Sequence, residues 1–140
     1  MQTLSVLEAF RATGLKDTAP RRLVAEALCG IDAPASAKDL HEWIARERDR
    51  SVGIVTVYRI LDLLEKIGAV HRHSNDGLYS VCHIPSVHGH HVLLHCDACG
   101  KIEEKHDHSL CEQEDAVARS AGFRPVRHVS EILGTCHSCQ

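Results

Sequence analysis

The chain has 140 residues, 44% hydrophobic but only 4% aromatic, which suits one compact domain or two small ones. No apolar run approaches the roughly 18–20 residues of a bilayer crossing, and MQTLSVLEAFRATG lacks the features of an export signal, so a cytoplasmic, membrane-free setting is expected. The net charge of −3 argues against nucleic acid only until the chain is divided: residues 1–75 carry eleven Lys/Arg and ten Asp/Glu, residues 76–140 five and nine.

The first half reads as helices. Leu4–Thr13 runs to Gly14; LKDTAPRRLVAEALCG then offers Thr18 as N-cap, Pro20 in the first turn and Gly30 past the end, with Leu23, Ala27 and Leu28 facing a core. In APASAKDLHEWIARERD, Ser36 precedes Asp39 by three positions, a capping-box pattern with Asp in place of Glu or Gln. Leu40, Trp43 and Ile44 form that helix's apolar stripe. SVGIVTVYRILDLLEKIG keeps a helical period through Ile54, Val57, Ile60, Leu61, Leu64 and Ile67, with Thr56, Tyr58, Arg59 and Asp62 on the opposite face. AVHRH and LYSVC are short extended runs around an Asp-Gly turn. Helices followed by a hairpin describe a winged helix-turn-helix over residues 1–83.

Residues 84–140 read differently. HHVLLHC and KIEEKH are strands flanking CDACG, HSLCEQEDAVARSAG is a helix ending at Gly122, and FRPVRHVSEILGTC is a last strand. The expected fold is therefore α+β, a winged helix followed by a small α/β domain, divided near HIPSVHG.

Seven cysteines in such a setting point to metal or reactive thiols before disulfides. Cys96-x-x-Cys99 and Cys136-x-x-Cys139 are two knuckles that together present four thiolates to one Zn²⁺, a closed structural site; disulfides or plain thiols are the alternative. Cys82 follows the hairpin, with His71 on its other strand, His88 and His90 just beyond, and Glu104 on the strand after the first knuckle. These five suit an exchangeable, regulatory Zn²⁺; solvated linker histidines beside a buried thiol are the plainer alternative. His91, His106, His108, Cys111 and His128 are candidates for a further metal. Cys29 reads as core. On the helix Ile54–Ile67, Arg59 can make a bidentate contact to guanine, and Thr56 and Tyr58 can meet a thymine methyl or a phosphate; an ordinary solvated face or a protein-docking surface would look the same.

Taken together, GLKDTAPRR, TVYRILDLLEKIGAV, the His cluster before CDACG and the final CHSC resemble the ferric-uptake-regulator (Fur) family over essentially the whole chain. The resemblance implies a homodimeric, metal-responsive repressor that binds palindromic, AT-rich double-stranded operator DNA and dimerises through its second domain. On that pattern Tyr58 and Arg59 contact the major groove, Lys16 reaches toward the minor groove, and Arg21 belongs to the same DNA-binding stretch. Iron-type members carry a Glu ligand where this chain has Cys82, and an H-x-D-H cluster where it has HGHHV. Exchanging carboxylate for thiolate favours Zn²⁺ over Fe²⁺, so the set resembles the zinc-uptake-regulator branch and implies control of metal-uptake genes. An iron- or peroxide-sensing repressor using Fe²⁺ is the alternative within the family. Outside it, an enzyme is not expected: there is no H-E-x-x-H, and the Cys-rich site has no open position.

Overall fold

The computed structural model describes residues 2–74, 76–82, 90–125 and 128–140; of residues 2–5 and 90 it describes the backbone. The chain forms two compact units, Met1–Cys82 and His83–Gln140. The junction expected within HIPSVHG lies outside the described residues, as does His88.

Unit 1 contains α1 (Gln2–Ala12), α2 (Ala19–Gly30), α3 (Ala37–Arg48), α4 (Ile54–Lys66), and the antiparallel pair β1 (Val70–Arg72) and β2 (Tyr79–Val81). Phe10, Val24, Leu40, Ile44, Leu61 and Leu64 are fully buried in its core. Pro20 occupies the first turn of α2, as its fixed φ and missing N–H allow. Thr18 is the N-cap residue, yet its side chain makes no capping bond. Gly30, expected past the end, is the helix's last residue. The position requires glycine because of a close approach: a Cβ there would sit 2.3 Å from Trp43. The Trp43 ring is covered in turn by the Arg48 guanidinium at 4.8 Å, which also bonds Glu26 at 2.8 Å.

The Ser36–Asp39 capping box closes in both directions. Ser36 Oγ accepts from the Asp39 N–H at 3.1 Å, and the Asp39 carboxylate accepts from the Ser36 N–H at 2.9 Å. Beyond α3 the chain turns at Asp49, in the left-handed region at φ 47°, and His41 Nδ1–H donates to the Val52 carbonyl at 2.7 Å. That bond ties α3 to the entry of α4. Along α4, Val57, Ile60, Leu61 and Leu64 are buried as their spacing requires. Ile54, expected in the same stripe, is the first residue of α4 and is 38% exposed. The wing pairs Val70 with Val81 and His71 with Ser80. A two-way bridge between Ala35 and Tyr79, at 2.9 and 2.8 Å, fastens the wing to the α2–α3 connection.

Unit 2 contains β3 (His90–Cys96), β4 (Ile102–Lys105), α5 (His108–Ser120) and β5 (His128–Gly134), then a 3-10 turn at His137–Cys139. Its sheet has the order β4-β3-β5, β3 being antiparallel to β4 and parallel to β5. A parallel neighbour needs a crossover, and α5 lies in it. The last strand, expected from Phe123, starts at His128. Among the described residues of this unit only His91, Val92, Leu93 and Cys96 are buried, and α5 buries none. Such a unit has little core of its own.

Candidate metal centres and DNA-facing surface

Both cysteine knuckles lie at strand ends. Cys96 closes β3, and the chain reverses through Gly100 at φ 77°, a conformation that glycine adopts without steric cost. The reversal is held by Gly100 N–H to the Cys96 carbonyl and Cys96 N–H to the Lys101 carbonyl, each 2.9 Å. Parallel pairing of β5 with β3 sets Gly134 beside Cys96, and the Asp97 N–H bonds the Gly134 carbonyl at 2.9 Å, so Cys136 arrives against the first knuckle. The ligand atoms of Cys96, Cys99, Cys136 and Cys139 all lie within 4.8 Å of one another.

Cys99 and Cys136 have their Sγ atoms 3.8 Å apart. A tetrahedral ion with Zn–S bonds of about 2.3 Å requires S–S edges of about 3.8 Å, far beyond a disulfide bond. No two of the seven cysteines form a disulfide. The electrostatics also suit a cation. Backbone N–H groups, first that of Cys136 and then that of Cys99, aim at Cys96 Sγ and hold its thiol down to about 6. Hydrogen bonding with the thiols of Cys136 and Cys99 pushes Cys139 up to about 12. Four thiols therefore crowd one small space, where a divalent ion would take the place of their protons. The donor set fits Zn²⁺ in a coordinatively closed, structural role.

The wing of unit 1 carries a second donor pair. The Cys82 N–H bonds the Ala69 carbonyl at 2.9 Å, which extends the β1–β2 register by one step, so Cys82 and His71 are diagonal neighbours on one face. Both are buried. On the same face, the ring Nε2 of His73 lies 2.8 Å from Ser80 Oγ.

Unit 2 carries a third pair. Leu93 pairs with Glu104, and strand alternation puts His91 on the face that Leu93 and Glu104 share. His91 is 2% exposed. The sequence had set His91 among the candidates for a further metal; burial beside a carboxylate gives it another context. The side chain of His90 lies outside the described residues, although its backbone pairs with His128.

The remaining candidates occupy the α5 region. His106 is exposed, and His108 Nε2 is 3.2 Å from Glu112. His128 Nε2 is 2.9 Å from Glu114 and its Nδ1 3.5 Å from Asp115. Burial, then the charges of Asp115 and Glu114, push the Cys111 thiol up, so it stays protonated.

On unit 1, Lys16, Thr56, Tyr58 and Arg59 are exposed, as a nucleic-acid face requires. Arg21 is engaged within the protein: its Nη1 donates to the Lys16 carbonyl at 2.7 Å, and its guanidinium lies 5.3 Å from the Phe10 ring centroid. It positions the Lys16 loop. Asp17 beside it bonds Arg22 at 3.0 Å and Arg11 at 3.4 Å. Val55, which periodicity did not single out, is 59% exposed in the first turn of α4. Among the described residues, no helix is long and apolar enough to cross a membrane.

Comparison with known proteins agrees with this inventory. The model of the ferric uptake regulator family matches residues 12–133. The chain is 34% identical over 134 residues to the ferric uptake regulation protein of Legionella pneumophila, covering 95% of this chain and 97% of that protein. It is 35% identical over 132 residues to the zinc uptake regulation protein of Mycobacterium tuberculosis, covering 92% and 98%. Among solved structures it resembles a zinc uptake regulator complexed with zinc and DNA, with a TM-score of 0.82 and 25% identity over 98% of this chain and 91% of that one. The first knuckle, the wing and α4 thus fall within the residues the family model matches, and the chain belongs to the ferric uptake regulator family, in its zinc uptake regulator branch.

Proposed function

We propose that this protein is a zinc-responsive transcriptional repressor that binds palindromic operator DNA as a homodimer and controls metal-uptake genes. The carrying observation is the buried Cys82 thiol beside His71 on the wing. A thiol and an imidazole are both strong Zn²⁺ ligands, and here they are buried side by side on one face of the wing. His91 and Glu104, buried or half-buried on one sheet face, are donors of complementary type. His71, Cys82, His91 and Glu104 then make an N₂SO set for an exchangeable Zn²⁺, with His91 in the role the sequence had given to His90 or His88. A thiolate in that set selects Zn²⁺ over Fe²⁺. The Cys₄ centre holds one structural Zn²⁺ per chain.

The dimer reading is supported by Val129, Ile132 and Leu133 on the edge strand β5, together with Val117 and Phe123, all exposed in the single chain. The family consists of transcription regulators, which accords with the absence of an open catalytic metal position in the Cys₄ set. Binding of Zn²⁺ must favour the DNA-competent state by its differential affinity, typically about 5–150-fold.

The test uses zinc-loaded and chelator-treated protein in a DNA-shift assay. Cys82→Ser is expected to keep one tightly held zinc per chain and to lose most of the zinc stimulation of DNA binding. Loss of all zinc together with the fold would assign Cys82 to the structural centre. Stronger activation by Fe²⁺ than by Zn²⁺ would favour the iron-sensing alternative.

A further inference from the structure

The exposed large apolar side chains described in unit 1 are three, and all sit within the first five residues of α4: Ile54, Val55 and Tyr58 at 38%, 59% and 50%. Every other large apolar residue described there is buried or half-buried. Val55 precedes Tyr58 by three positions and Arg59 by four, so the three side chains line one stripe opposite Val57, Ile60, Leu61 and Leu64. Helix formation gives no reason for valine at this position, since a β-branched side chain loses rotamer freedom in a helix.

The surroundings are complementary to a polyanion. The first turn of α4 contains no acidic residue, and its N-cap, Gly53, brings no capping side chain. The first N–H groups and the positive end of the helix dipole are therefore open. Arg50 and Arg59 are exposed at the same tip. Three side chains also fall far short of the roughly 800 Å² per partner of a standard protein interface.

We propose that Val55 is a base-reading residue that seats the 5-methyl group of a thymine in the operator's major groove. This rests on the DNA-binding reading above. Thymine is the one base that presents a methyl group in that groove, and valine offers methyl groups with no hydrogen-bonding atom to leave unsatisfied. Arg59 would read guanine on the same stripe, so the half-site should pair a guanine with a thymine a short step away.

A duplex enriched from a randomised double-stranded library by the zinc-loaded wild-type protein serves as the probe. Each dT is then replaced singly by dU, which removes the methyl and keeps the base pair, and affinity is measured for wild type and Val55→Ala. At one thymine per half-site the wild type should lose about fourfold on methyl removal, and Val55→Ala should show no further loss there. The variant should keep its zinc content and thermal transition, because the side chain is exposed. If the losses from Val55→Ala and from dU multiply independently at every thymine, or if no thymine matters, the proposal is overturned while the repressor reading stands. Failure to enrich any duplex with fully zinc-loaded protein would overturn both.

Discussion

Cys96 Sγ receives the backbone N–H of Cys136 at 3.3 Å, from forty residues further along the chain. With the Asp97–Gly134 bond and the 3.8 Å approach of Cys99 to Cys136, that contact brings the two knuckles together. Cys136→Ser is expected to abolish the tightly held zinc and to lower the thermal stability of unit 2, measured by metal analysis and melting. Zinc-site folding energies of order 10 kcal/mol leave such a small unit no reserve. At this scale the thiols were readable from spacing alone, because CxxC pairs carry their geometry with them. His91 was less readable: in HGHHV three imidazoles crowd together, and only the register of β3 with β4 decides which shares a face with Glu104. Val55 was not readable, since periodicity identifies the buried stripe and does not rank what lies opposite it.

Individual elements follow local chemistry closely where that chemistry is self-contained. The Ser36–Asp39 box is an example, closing as its sequence pattern predicts although Asp is one methylene shorter than Glu. Ser36→Ala is expected to destabilise unit 1 by about 1 kcal/mol, the usual cost of a lost N-cap, measured by denaturant unfolding. The Asp39 carboxyl is held below its ordinary value of 3.8 by the Ser36 backbone N–H and then by the Ser36 hydroxyl. A depressed carboxyl stabilises fully above the unfolded value and loses that contribution as pH falls through the folded one. The penalty of Asp39→Asn should accordingly be present at neutral pH and fade below about pH 4, followed by melting at stepped pH. Elements whose limits depend on distant partners were harder to read. Residue 30 is glycine because of Trp43 on another helix, and the last strand begins at His128, where the register with β3 begins.

The molecule as a whole divides its stability unequally. Unit 1 contains an extensive apolar core, whereas unit 2 buries only four of its described residues and leaves an apolar strand edge open. A strong chelator is therefore expected to unfold unit 2 while the helical signal of unit 1 persists, giving two separated transitions in calorimetry. Ile132→Asp should convert a dimer to a monomer in sedimentation without releasing the structural zinc. The division into a helical head and a thiol-rich α/β unit was visible in composition and periodicity. The thinness of the second core was not, because HHVLLHC and HVSEILG look apolar enough until burial shows which of their side chains a single chain can cover.

The parallel alignment of β3 with β5 also sets an order of events during synthesis. His90 pairs with His128 and Cys96 with Gly134, so the sheet joins residues thirty-eight apart, while the helices of unit 1 pack largely on near neighbours. Non-local pairings of this kind form slowly, and domains of a growing chain generally fold from the N-terminal side first. The reading head can thus be complete on the ribosome before any thiolate of the second knuckle exists. A nascent chain stalled before Cys136, with residues 1–82 already clear of the ribosome, should resist protease over its helices, in zinc-free medium as in zinc-replete medium. On that order, zinc would complete a protein whose head is already folded rather than start its folding.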